Sequence, residues 1–170
     1  MPRPKQYRSI DVLEQDGVLP MEGMMFNECL RAATIVQVLL QLPDDDYETI
    51  KAALECDVSW FIPDYNQRGM VYPFFATVYP EAKEGSTLNL APHAPVIYFS
   101  PILERESRSI RVAVVAHELA HIALKHSLIP NGDEYEIQEN EAWELTRKWG
   151  FQREIKILER KHKEAGGVGL

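Results

Sequence analysis

His117 and His121 lie four residues apart, with Glu118 beside the first, in a stretch from Val112 to Leu124 where every other residue is Val, Ala, Leu or Ile. Such a run reads as a helix buried on most of its circumference. Helical positions i and i+4 lie about 40° apart and project to the same side, so the two imidazoles can offer nitrogens to one ion. Glu118, about 100° around from His117, can reach a water bound to that ion without ligating it. Two ligands and an adjacent general base are the parts of a metal-assisted hydrolysis. A solitary buried histidine is ordinarily a core residue with backbone or water partners. Three polar groups together are a different matter, because desolvating an unpaired carboxylate costs on the order of several kcal/mol. A divalent cation compensates it.

Catalytic zinc takes three protein ligands and keeps the fourth position for water, so His117 and His121 require a third. His126 follows His121 by five residues, with Leu124 where a turn toward the metal would need glycine. Its direction, about 140° from His121 on the same helix, makes it an exposed helix-end residue. The acid-rich stretch from Asp133 to Glu144 is the other source. Ile137, Leu145 and Trp149 form an i, i+8, i+12 apolar stripe, and Glu141 falls in its i+4 gap. Glu141 is therefore the expected third ligand, with Glu144, about 60° off, in reserve. Glu139, about 160° from Glu141, is expected on the solvated side. The remaining acids suit the positive end of a helix dipole.

The elements that must position these groups describe an α+β chain forming one domain over 1–170. Residues 1–20 read as a loosely ordered leader, with Pro20 to Gly23 as punctuation. A helix from about Met24 to Leu42 stops at Pro43, and Asp44 to Asp46 open a second helix through about Glu55, the two packing as an N-terminal helical hairpin. Val71 to Tyr79 is rich in β-branched and aromatic residues, but Pro73 removes a ladder donor and demotes it to an edge or bulged strand. A short strand near Leu88 to Leu90 sits in the connection from Ala82 to Ala94. Pro95 to Ser100 is the clearest strand. The motif helix begins near Ser107 or Ser109 and ends before Pro130, and Asn131-Gly132 is a turn. A further helix runs from about Ile137 to Trp149, with Gly150 as a left-handed cap and Phe151 supplying its apolar contact. A charged surface helix follows and frays into a flexible tail over 163–170.

At 170 residues and 45% apolar content the chain can bury a core as one domain. A formal net charge of -8 argues against nucleic acid as a partner, and the basic run of Arg3, Lys5 and Arg8 reads as a solvated terminus. Cys29 and Cys56 lack ligand or disulfide spacing and read as reduced thiols of a cytoplasmic protein. No apolar stretch follows the basic run as a secretory signal requires, and the longest apolar run, Leu30 to Leu42, falls short of the roughly 20 residues of a membrane span.

His117-Glu118-x-x-His121 followed after 20 residues by a helical Glu141-Ala142 resembles the gluzincin branch of zinc peptidases, and among them the short bacterial and phage ImmA/IrrE-type domains. The resemblance covers residues 95–151, a strand, the motif helix and the glutamate helix. It implies a zincin-like fold in which a small mixed or antiparallel sheet packs on the motif helix, with Zn2+ held by His117, His121 and Glu141. It also implies that Glu118 is the catalytic acid/base of a metallopeptidase acting on a polypeptide. The strand from Val96 to Ser100 resembles the edge strand on which zincins align extended substrates, against the alternative of an ordinary internal strand. Tyr135, Tyr98, His93 and His162 are all candidates for an oxyanion donor, and none is assigned. Two other classes compete: a zinc-containing regulatory or interaction module of phage or toxin-antitoxin type, which an intact Glu118 disfavours, and a zinc hydrolase of a non-peptide bond. Ligating imidazoles must be neutral, so metal retention is expected to fall as the pH drops below about 6. Dialysis across a pH series with metal analysis checks this, and tight retention at about pH 4 contradicts it.

Overall fold

The computed structural model of the chain describes residues 6–19, 30–56, 59–61, 76–79, 96–99, 101–126 and 132–164. In order they form α1 (Ile10–Gln15), α2 (Leu30–Leu39), α3 (Asp44–Cys56), β1 (Ser59–Phe61), β2 (Ala76–Tyr79) and β3 (Val96–Phe99). A 3-10 turn (Pro101–Arg105) then leads into α4 (Arg108–Ala123), α5 (Gly132–Lys148) and α6 (Gln152–Glu164). Expectations placed on Arg3, Lys5, the punctuation from Pro20 to Gly23, Cys29, Pro73, Leu88 to Leu90, His93, the turn at Asn131 and the tail from 165 onward lie outside the described residues.

Helix α4 carries the motif and is the centre of the packing. Ser107, in extended conformation, caps it by accepting a hydrogen bond from the Ile110 amide at 3.4 Å, so the first of the two expected serines is the cap. From Ile110 to His117 every side chain is buried, as are Leu119 and Ala120. A helix apolar on nearly all sides must be surrounded, and α2, α3, α5, α6 and β2 all pack against it. Ala113, Ala116 and Ala120 are fully buried, and their small side chains keep the helix narrow where its neighbours approach.

The α+β class expected from the sequence is overturned: the described body is nearly all helical. Its strands are three or four residues long and form one small patch in the order β1-β3-β2. β1 runs parallel to β3, with Trp60 opposite Ile97, and β2 runs antiparallel, with Val78 opposite Ile97. The physical reason is that long apolar-periodic runs such as Val112 to Leu124 bury their surface on other helices, and short strands cannot supply a comparable layer. β3 is paired on both sides, so it is an internal strand and not the free edge expected from the resemblance. The Val71–Tyr79 segment is expected as an edge or bulged strand, and among the described residues its part β2 pairs with a strand on one side alone, that of β3.

Two more expectations are corrected. Helices α2 and α3 pack chiefly on α4 instead of on each other, so they are not a self-contained hairpin. The leader is held in place over its described part. Leu13 and Val18 are buried, and the Tyr7 amide donates to the Leu40 carbonyl at 2.9 Å. Arg8 donates to the carbonyls of Leu39 (2.6 Å) and Leu42 (3.0 Å), capping the end of α2, and pairs with Asp44 at 2.8 Å. Helix α6 likewise is more than a surface helix, since Ile155 and Leu158 are buried and it packs on α4.

Polar pins hold the outer helices at fixed angles. Buried Arg31 on α2 donates to the Phe99 carbonyl at the end of β3 and to Glu104, both at 2.8 Å, joining helix, strand and 3-10 turn. Arg111 on α4 reaches Thr34 on α2 at 3.4 Å. The Trp149 indole donates to Asp46 on α3 at 2.7 Å. Gly150 takes φ +97°, the Gly150 amide donates to Arg147 and the Phe151 amide to Thr146, which is the left-handed cap expected at that position.

Asp16, just after α1, accepts from the Tyr47 hydroxyl at 2.6 Å and from Lys51 at 2.7 Å, tying α1 to α3. The Lys51 ammonium foremost, and then the Tyr47 hydroxyl, hold its carboxyl below the usual carboxylate range against the opposing effect of burial. A carboxyl depressed on folding contributes stability that is present above its unfolded value, about 4, and is lost as pH falls through the lower folded value. The stability gap between wild type and Asp16→Asn in urea unfolding is expected to be constant from about pH 7 to 5 and to close below about pH 4. A gap that widens in acid contradicts this account.

Candidate metal centre

His117 and His121 sit one turn apart on α4, and their Nε2 atoms are 3.1 Å from each other. A carboxylate enters from α5: Glu139 Oε2 lies 3.2 Å from His117 Nε2, and its Oε1 lies 3.4 Å from His121 Nε2. Donors arranged tetrahedrally at 2.0–2.1 Å from a zinc ion are separated by about 3.3 Å. The imidazole pair and the two carboxylate contacts, made by different oxygens of Glu139, all lie close to that value. His117, His121 and Glu139 form the one group among the described residues whose donor atoms converge closely enough to hold a metal.

The third donor is therefore Glu139, and the sequence-based assignment of Glu141 is corrected. The periodicity was anchored on Ile137, which is 56% exposed and lies outside the core. The buried face of α5 runs instead through Ala142, Trp143, Thr146 and on to Trp149. Glu139 precedes Ala142 by three residues and Trp143 by four, so it falls on that face. Glu141 points elsewhere, with 57% of its side chain exposed, and Glu144 is exposed as well. The signal in the sequence was the i+3/i+4 series Glu139-Ala142-Trp143-Thr146, which is legible only when Ala and Thr are counted as core residues.

Trp143 also orients the first histidine. Its ring stacks on the His117 imidazole with centroids 3.9 Å apart and planes inclined by 23°. His117 Nδ1 is buried and has no hydrogen-bond partner, and it is the one such side-chain atom among the described residues. An ordinary core histidine satisfies its nitrogens with backbone or water, since an unmet buried polar atom costs about 1–3 kcal/mol. His117 instead turns its other nitrogen toward Glu139 and His121, two electron-rich neighbours. That donor set suits a cation.

The charges agree with the geometry. Burial works against the Glu139 carboxylate, but hydrogen bonding to His117 and His121 outweighs it and holds the pKa down at about 2. Glu118 follows the opposite course: burial pushes its carboxyl up, the adjacent Glu139 charge adds to that, and His117 and His121 pull it back only in part. Glu139 is thus an anion that can ligate, while Glu118 is a carboxyl that can carry a proton. Tyr135, one turn before Glu139, has its hydroxyl pushed up by burial and by the charges of Glu139 and Glu118, which places it in the field of the site.

His126 is the residue that sequence reasoning set aside. Helix α4 stops at Ala123, and Lys125 takes a left-handed φ of +55°. The Lys125 amide then donates to the Ile122 carbonyl and the His126 amide to that of His121, both at 3.0 Å, a Schellman closure with Lys in the place usually held by Gly. The turn swings His126 back onto His121, with their Nδ1 atoms 2.9 Å apart, and His126 Nε2 meets Glu141 at 3.1 Å. Burial, and next the neighbouring His121, lower the pKa of His126 against the pull of Glu141, favouring a neutral ring. No glycine marked the turn, so the residue looked like a continuation of the helix.

No family model, curated protein or solved structure gives a significant match to the chain. The assignment of the third donor is checked by metal content after dialysis. Wild type and Glu141→Ala are expected to keep about one divalent ion per chain, and Glu139→Ala close to none. Loss in Glu141→Ala with retention in Glu139→Ala reverses the assignment.

Proposed function

We propose that this site is the centre of a zinc-dependent hydrolase acting on peptide bonds. The observation that carries the reading is the convergence of His117 Nε2, His121 Nε2 and Glu139, with contacts of 3.1, 3.2 and 3.4 Å, and a second carboxyl, that of Glu118, adjacent to His117 on α4. Two imidazoles and one carboxylate are a borderline donor set that suits zinc and leaves the fourth tetrahedral position for solvent. When bound there, zinc lowers the pKa of its water to about 7 and polarises a carbonyl.

The chain's own residues supply the proton handling and the orientation. Glu118 is adjacent to His117 on α4 and does not belong to the converging triad, so it is left for acid/base work. Burial pushes its carboxyl up, which makes it a better proton acceptor than an exposed glutamate. Trp143 fixes the plane of His117 and thereby the direction in which its Nε2 faces the site. β2 supports a polypeptide as substrate: it is the strand that packs on α4, and among the described residues its outer side pairs with no strand. An extended peptide can add there through main-chain hydrogen bonds.

The test is a cleavage profile on a proteome-derived peptide library, comparing wild type with Glu118→Gln. The variant is expected to keep its zinc and to lose about 10² to 10⁴-fold in turnover. Undiminished cleavage by Glu118→Gln removes the base from its role. A wild-type protein that holds zinc and cleaves nothing in the library points instead to a zinc-containing interaction module.

A further inference from the structure

Beyond the triad, His121 is engaged on its second nitrogen, and the partners form a chain: His121 Nδ1 to His126 Nδ1 at 2.9 Å, then His126 Nε2 to Glu141 Oε2 at 3.1 Å. The direction of every hydrogen bond in this chain follows from its last member. A carboxylate only accepts, so His126 must carry its proton on Nε2 and donate it to Glu141. With one proton per ring, the Nδ1 of His126 is then a lone pair, and the hydrogen in the 2.9 Å contact belongs to His121. In that arrangement His121 is the Nδ1–H tautomer, the one whose Nε2 is open to a cation shared with His117 and Glu139.

We propose that His126 and Glu141 are positioning residues, a relay that fixes His121 as the tautomer able to ligate through Nε2. The proposal rests on the metal-centre reading of His117, His121 and Glu139 and deepens it. Without the relay, His121 is free to carry its proton on Nε2, where it faces the site and cannot ligate. Partners that fix a ligating imidazole in this way typically change metal affinity by about 10–100-fold. The left-handed Lys125 turn serves the relay, because only that reversal of the chain brings a residue beyond the helix end onto His121. It also accounts for Glu141, an exposed acid that makes no contact with the triad and nevertheless meets a histidine.

The experiment uses the full chain and two readouts. Long-range 1H–15N correlation of the metal-free protein reports the tautomer of His121, and competition against a chromophoric chelator reports the Kd for Zn2+. Wild type is expected to show His121 as Nδ1–H. His126→Phe, which keeps the ring and removes the acceptor, is expected to shift His121 toward Nε2–H and to weaken zinc by about 10–100-fold. His126→Asn, whose amide oxygen can accept in place of Nδ1, is expected to recover most of that loss. Glu141→Ala, at an exposed position that tolerates truncation, is expected to move both readouts in the same direction by a smaller factor and serves if His126→Phe does not fold. An unchanged tautomer, or a zinc Kd within about twofold of wild type in these variants, overturns the relay. A wild type that takes up no zinc defeats the metal reading alone, and the tautomer measurement still decides whether the relay exists.

Discussion

Two imidazoles and a carboxylate held within 3.4 Å of one another, on the mostly buried helix α4 and its neighbour α5, are the constraint around which this molecule is built. Gathering them there strips the carboxylate of part of its hydration, a cost that the rest of the fold must offset. Each buried aliphatic side chain contributes about 1.5–3 kcal/mol. The row Ile110, Val112, Val114, Val115 and Leu119 on α4 is thus large enough to offset that cost. The apolar character of α4 and its polar triad belong together: the burial of the first offsets the cost of the second, and the proposed cation would turn the gathering of donors into attraction.

Holding the triad together requires that α5 keep a fixed rotation about its own axis, since a turn of about 100° would replace Glu139 with a neighbouring residue. The chain fixes that rotation at two points along the helix's buried stripe. Trp143 stacks on His117 in the middle, and Trp149 is tied to Asp46 on α3 at the far end, where the Gly150 cap stops the helix. Helix α3 is in turn anchored to the first turn of the chain through Tyr47 and Lys51 on Asp16. A site whose residues come from two helices is therefore supported by contacts that extend to α1, which is why residues 6–19 are folded against the body.

What the sequence disclosed and what it concealed follow from the same physics. The motif helix, its Ser107 cap, the Asp-rich start of α3, the Gly150 cap and β3 each carry a local signal: spacing, a capping oxygen, a residue suited to positive φ, or a run of β-branched and aromatic types. The misread features lacked one. Glu139 lies on a face defined by Ala142 and Thr146, residue types that sit inside or outside with little preference, whereas exposed Ile137 gave a false anchor. Lys125 adopts a conformation for which glycine is the usual marker. The fold class failed for a different reason, because short runs such as Ala76 to Tyr79 show a strand period without revealing how little of the core they will carry.

Glu139 and Glu141 make the point about helix faces sharpest. They are two residues apart, about 160° around α5, and a single amphipathic stripe cannot use both. Yet both meet histidines of the preceding segment, because that segment does not end where α4 ends: the left-handed turn at Lys125 returns His126 to the side of His121 away from the triad. Glu139 then serves the Nε2 side of His121 and Glu141, through His126, its Nδ1 side. One imidazole is thus held at both nitrogens by acids from opposite faces of one helix. Periodicity analysis assigns one inward acid per stripe, and so must choose between two residues that the folded chain employs together.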